Sequence, residues 1–151
     1  MKITYWVLIT VFFISKTNAV DKEVNKPTIH SILPRFRFVQ RLSYDASVVR
    51  QIEEIVRTYS VTIFSKSYCS YSKQAKDILF KYNLRNVGVF ELDQQRLDAT
   101  VYQDALERLT GARTVPRVFI GGKFVGGADQ ISALHQSGSL WKLLKDAGAI
   151  F

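Results

Sequence analysis

The sequence predicts an α/β domain in which a central four-stranded mixed β-sheet is flanked by helices on both faces. Two observations carry this prediction. Between residues 44 and 151, short apolar runs alternate with longer amphipathic stretches in the order αβαβαββαα. Strand–helix–strand crossovers of this kind give parallel neighbours with helices over the sheet. The second observation is Gly121-Gly122 between two short runs, a hairpin signal that adds an antiparallel pair.

Each element follows from its own pattern. Asp45 can cap a helix through about Thr58, with Val48, Val49, Ile52, Ile55 and Val56 on one face. Val61-Thr62-Ile63-Phe64 is a short, β-branched, buried strand. A loop leads to Cys69, and a helix then runs to about Tyr82 with Ala75, Ile78 and Leu79 inward. Val87 to Leu92 is a second strand, and Ala99 to Leu109 a helix with Tyr102, Leu106 and Leu109 in one stripe. Arg117 to Ile120 and Lys123 to Val125 are the hairpin strands. Gly126-Gly127 precedes a helix through about His135, and Leu140 to Ala147 is the last helix, packed by Trp141 and Phe151. No chemistry is assigned to His30 or His135.

Composition narrows the function classes. The chain has 151 residues, 47% hydrophobic and 23% charged, with 3 Pro and 8 Gly, so low-complexity and collagen-like readings are excluded. A single cysteine excludes an internal disulfide and an all-cysteine metal cage within one chain. The net charge of +8 suits either nucleic acid or a small anionic substrate. The basic residues are scattered, and no aromatic RNA-binding pattern accompanies them, so nucleic acid is not the expected partner.

The N-terminus reads as a targeting segment. Lys2 precedes the uncharged run Ile3 to Ile14, and Thr17-Asn18-Ala19 supplies small residues for a cut after Ala19. Twelve residues fall short of the roughly 20 that span a bilayer. Residues 1–19 are therefore expected to be a signal peptide, or alternatively an uncleaved signal anchor, which is the one route to a membrane. This predicts a secretory-pathway lumen (ER or Golgi) or secretion. Residues 20–43, with Pro27 and Pro34, form a linker. Within it Arg35-Phe36-Arg37-Phe38-Val39-Gln40-Arg41 alternates basic and apolar residues. It is a solvated connector, a short strand or a membrane-surface contact.

The chemistry concentrates at Cys69. It follows a strand and opens a helix, where backbone N–H groups and the helix dipole favour an anion. Lys66 and Lys73 lie three residues before and four after it. Both effects lower a thiol pKa. A lone cysteine is more often buried and inert, but Ser67, Tyr68, Ser70 and Ser72 are polar neighbours unlike a core.

Lys66-Ser67-Tyr68-Cys69-Ser70-Tyr71-Ser72 resembles the active-site loop of glutaredoxins. Thr114-Val115-Pro116 is similar to their cis-proline loop, and Gly126-Gly127-Ala128-Asp129 to their second glutathione loop. Gln103 and Thr110-Gly111-Ala112-Arg113 fit the helix between. The resemblance covers about residues 44–151 and implies a thioredoxin-like fold and glutathione-dependent thiol–disulfide exchange. It departs from the dithiol pattern at Ser72, which stands where a resolving cysteine would be, so a one-thiol cycle on glutathione–protein mixed disulfides is implied. The resemblance further implies that Lys66, Gln103 and Arg113 hold the glycine carboxylate of glutathione. By the same resemblance Val115, its edge exposed by a cis Pro116, pairs with the cysteinyl unit, and Thr114 beside it also contacts glutathione. Gly127, Ala128 and Asp129 would hold the γ-glutamyl end, and Tyr71 would line the cleft. Asp129 serves equally as a plain N-cap.

Two other readings accompany the enzyme. Two chains can bridge a [2Fe-2S] cluster through two Cys69 thiolates and two glutathiones, making a homodimer of an otherwise monomeric protein. Alternatively the domain senses redox state through Cys69 without turnover. The partners expected are glutathione and glutathionylated proteins.

Overall fold

The computed structural model describes residues 46–94 and 98–151. The targeting segment 1–19, the linker 20–43 and the Asp45 cap lie outside the described residues. Helix α1 covers 46–58. Strand β1 (Val61–Ser65) leads to α2 (Ser70–Leu79), a 3₁₀ turn (Phe80–Tyr82) and β2 (Val87–Glu91). Then come α3 (Ala99–Thr110), β3 (Arg117–Ile120), β4 (Lys123–Gly126), α4 (Ala128–Gln136) and α5 (Ser139–Asp146).

The sheet order is β2-β1-β3-β4. β1 pairs parallel with β2, Ile63 opposite Val89, and antiparallel with β3, Ile63 opposite Val118. The expected hairpin joins β3 to β4. Its turn is Gly121-Gly122, at φ +57° and +78°, the left-handed region that a two-residue turn requires and glycine enters freely.

Side-chain alternation along β1 and β3 divides the interior into two cores. Val61, Ile63, Val118 and Ile120 face one side, packed with Ile78 and Leu79 of α2, Ile131 of α4, and Leu140 and Leu144 of α5. Phe64 and Phe119 face the other, packed with Val48, Ile52 and Val56 of α1 and Tyr102, Ala105 and Leu106 of α3. This is the expected mixed sheet with helices on both faces.

Two details differ from the sequence reading. The α-helix after Cys69 stops at Leu79, and Phe80–Tyr82 continue as a 3₁₀ turn closed by Asn83 at φ +50°. Trp141 and Phe151 do not pack the last helix: they are 48% and 81% exposed. Leu140 and Leu144, four apart, already fill its inner face. Trp141 lies on the outer face beside Lys145, and Phe151 beside Arg85. His135, which carries no assigned chemistry, meets the hydroxyl of Tyr82 at 2.5 Å from Nδ1. Among the described residues no helix is long and apolar enough to cross a membrane.

Candidate active site

The site grows from the end of the central strand. β1 closes on Ser65, fully buried, whose hydroxyl donates to Glu91 Oε2 at 2.8 Å. Lys76 of α2 pairs with Oε1 of the same carboxylate at 2.6 Å. The strand end, α2 and β2 are thus tied at one point. The chain then turns through Lys66-Ser67-Tyr68. Ser67 donates both its backbone N–H (2.9 Å, to Oδ1) and its hydroxyl to Asp93. These bonds hold the Asp93 carboxyl below the usual aspartate pKa, the Ser67 hydroxyl contributing most.

Cys69 is the N-cap of α2, in extended backbone at φ −84°, ψ 118°. Its carbonyl accepts from Lys73 N at 3.0 Å, opening the helix. The sulfur is partly exposed, and its thiol faces Val115 O at 3.7 Å. The Cys69 pKa lies below its ordinary value. Burial pushes it up, but the Ser72 hydroxyl, the backbone N–H groups of Ser72 and Tyr71 and the charge of Lys66 together push it further down. Of the two lysines expected to act on the sulfur, Lys66 does so, and Lys73 is not among the causes.

The predicted site residues gather in two groups near Cys69. Tyr71, Thr114, Val115, Pro116, Gly127, Ala128 and Asp129 line one open cleft of about 360 Å³. The Val115–Pro116 peptide is cis. In the second group, Lys66 Nζ donates to Gln103 Oε1 at 2.9 Å, and Gln103 Nε2 donates to the carbonyl of Arg113 at 2.8 Å. The two groups meet at Thr114-Val115, directly after Arg113.

Two details bear on the expected roles. The Arg113 guanidinium, expected at the glycine carboxylate, is paired with Asp104, nine residues earlier on α3, although its side chain is 45% exposed. A carboxylate arriving there must share or displace Asp104. Asp129 is not the N-cap of α4. Gly127 is, and Gln130 Oε1 accepts its N–H at 2.9 Å, leaving Asp129 exposed in the first turn. Gly126 has φ +145°, and a Cβ there would lie 2.5 Å from Gln130 Cβ, so this turn excludes any larger residue.

Sequence reasoning missed Asp93, the anchor of the cysteine loop, and Arg117. Arg117 is buried at the start of β3, donating from Nε to Ala112 O (3.1 Å) and from Nη2 to Thr114 Oγ1 (2.8 Å), its guanidinium against Phe124. It fixes the loop that carries Thr114 and Val115. The available signal was a cation inside an otherwise apolar strand, a position that demands partners.

Geometry of this kind, a lowered-pKa thiol beside an extended backbone edge and a cation, fits nucleophilic chemistry on a small peptide. The family model described as glutaredoxin matches residues 61–125. A glutaredoxin of Vernicia fordii is 44% identical over 98 residues, covering 65% of this chain and 92% of that protein. A monothiol glutaredoxin of Caenorhabditis elegans is 41% identical over 96 residues, covering 64% of this chain and 65% of its own. The structure of a buckwheat glutaredoxin–glutathione complex superposes with a TM-score of 0.67 at 36% identity, covering 71% of this chain and 96% of that one. Oxidised glutaredoxin 2 of Chlamydomonas reinhardtii gives 0.65 at 42% identity, covering 70% and 98%.

Proposed function

This chain belongs to the glutaredoxin family and is a glutathione-dependent thiol–disulfide oxidoreductase, and from that premise we propose that it reduces glutathione–protein mixed disulfides with one thiol. The observation that carries this reading is the lowered pKa of a part-exposed Cys69 whose neighbour one turn on is Ser72, in a chain with a single cysteine.

The Cys69 thiolate attacks the glutathione sulfur of the mixed disulfide. The old S–S bond breaks, its electron pair leaves on the protein sulfur as thiolate, and Cys69 becomes joined to glutathione. A second glutathione, as thiolate, attacks the glutathione sulfur of that adduct. Glutathione disulfide departs and Cys69 returns as thiolate. Both steps exchange one S–S bond for another, so electrons balance. Lys66 and the Gln103–Arg113 group are proposed to hold the glycine carboxylate, Val115 the cysteinyl backbone, and Ala128 with Asp129 the γ-glutamyl end. Two complementary supports are the open cleft lined by Val115, Ala128 and Asp129 and the glutathione bound by the buckwheat relative.

A [2Fe-2S] cluster is the second reading. One accessible thiolate per chain, followed by exposed Ser70, leaves room for two chains and two glutathiones to supply four sulfurs. Among the described residues no cluster of three ligating side chains competes for iron. A secretory address is proposed on residues 1–19 alone, and is checked by whether chain made on microsomes begins at Val20.

The deciding experiment is turnover of a small glutathione mixed disulfide with excess glutathione. Wild type is expected to turn over and Cys69→Ser to lose all rate above background. Wild type that accepts glutathione on Cys69 without turnover would overturn the enzyme reading, and visible absorbance after anaerobic purification would then favour the cluster.

A further inference from the structure

Two segments that the active site does not use meet at the far end of the molecule. The chain leaves α2 through Phe80–Tyr82 and reaches β2 by way of Arg85, whose N–H donates to Ala149 O, just past α5, at 2.8 Å. Residues 80–86 and 139–151 therefore share one pole. Cys69 caps the opposite end of α2, a helix of 10 residues and so about 15 Å long.

This pole holds large rings in water. Phe80, Trp141 and Phe151 are 53%, 48% and 81% exposed, and the core has already closed beneath them on Leu79, Leu140, Leu144 and Ala149. The pole is also basic. Its two segments carry Lys81, Arg85, Lys142 and Lys145, all exposed, against Asp146 alone. Rings and cations are interleaved: Lys145 Nζ lies 4.7 Å from the centre of the Trp141 ring, and the Arg85 guanidinium lies over Phe151. A second copy of this chain would bring the same positive charge to the face and be repelled. Single rings that stand out beside cations on apolar stems suit a soft layer, anionic outside and apolar beneath. At lipid headgroups the rings sink to the acyl boundary while the ammonium and guanidinium groups stay at the phosphates.

We infer that this pole is a peripheral docking surface for an anionic membrane, with the outer face of α5 on the headgroups. The contact needs no spanning helix and is separate from any held by residues 1–19. It gives the bound domain one orientation. Cys69, at the other end of α2, then faces away from the bilayer and stays open to soluble substrates.

The test uses the full chain carrying Trp6→Phe, so that Trp141 is the sole tryptophan and its emission reports this pole whatever the N-terminal segment does. The probes are phosphatidylcholine vesicles with and without phosphatidylserine, their acyl chains brominated. Trp141 emission is expected to shift to the blue and be quenched by the phosphatidylserine vesicles at low salt, and the response to fade as salt rises. Adding Arg85→Gln and Lys145→Gln should weaken the Trp141 contact about thirtyfold, as for loss of two cations at a charged surface, with far-UV circular dichroism unchanged. Emission that ignores phosphatidylserine vesicles overturns the inference. So does an equal response to pure phosphatidylcholine, or a response that survives the double substitution. A shift with polyglutamate but not with vesicles also overturns it, and would assign the pole to an acidic protein.

Discussion

Lys66 serves two atoms at once: its charge acts on Cys69 and its ammonium donates to Gln103. The two roles separate by mutation. A nearby cation stabilises thiolate, so removing it raises the Cys69 pKa, and its charge is the smallest of the causes that lower it. Lys66→Ala should therefore move the pH–rate profile upward, by less than loss of the hydrogen bonds to the sulfur would. The rate deficit should close above both pKa values, while KM for a glutathione mixed disulfide rises several-fold at every pH. Lys66→Arg should restore the profile. A profile that moves while KM stays put would remove Lys66 from the carboxylate group. At this scale the reactive cysteine was legible, because a polar loop opening a helix has one reading once the strand before it is recognised. Asp104 was not: nothing in α3 marks which of its acids faces Arg113. Asp93 was equally silent, since a carboxylate just past a strand looks like any solvated turn.

Among the elements, the β4–α4 corner shows how a turn becomes a binding edge. Gly126 takes a backbone that disfavours any Cβ, and Gln130 reaches back from the first turn to the Gly127 N–H. Gly126→Ala should push Gln130 aside and displace the Ala128–Asp129 end of the cleft. The expected result is a KM for glutathione raised about tenfold, with the Cys69 alkylation profile unchanged; measured together, the two distinguish loss of the γ-glutamyl edge from damage to the thiol. Element types were legible from period and turn residues, down to the hairpin. Ends were less so. Phe80 and Tyr82 continue the apolar pattern of α2, but the chain tightens to a 3₁₀ turn and leaves through Asn83 in the left-handed region, where asparagine is tolerated. Trp141 and Phe151 misled because size was read as burial. With Leu140 and Leu144 filling the inner face of α5, no interior space was left for either ring.

Over the whole molecule, stability and site share β1. Its residues alternate between two cores, and Phe64 meets Phe90 and Phe119 at ring centroids of 5.5 and 5.9 Å. Phe64→Ala should cost about 3–5 kcal/mol, read as a lower midpoint in chemical denaturation. The two-sided architecture was legible because β1 and β3 are apolar on both faces with a glycine hairpin between β3 and β4. Which helices share a face followed only from the pairing order.

The contact between Cys69 Sγ and Val115 O joins residues 46 positions apart. The groups that lower the Cys69 pKa, Lys66, Tyr71 and Ser72, lie within three residues of it and are synthesised with it. The backbone edge at Val115 is made 46 residues later. Synthesis therefore delivers the activated thiol before the edge that would seat its substrate.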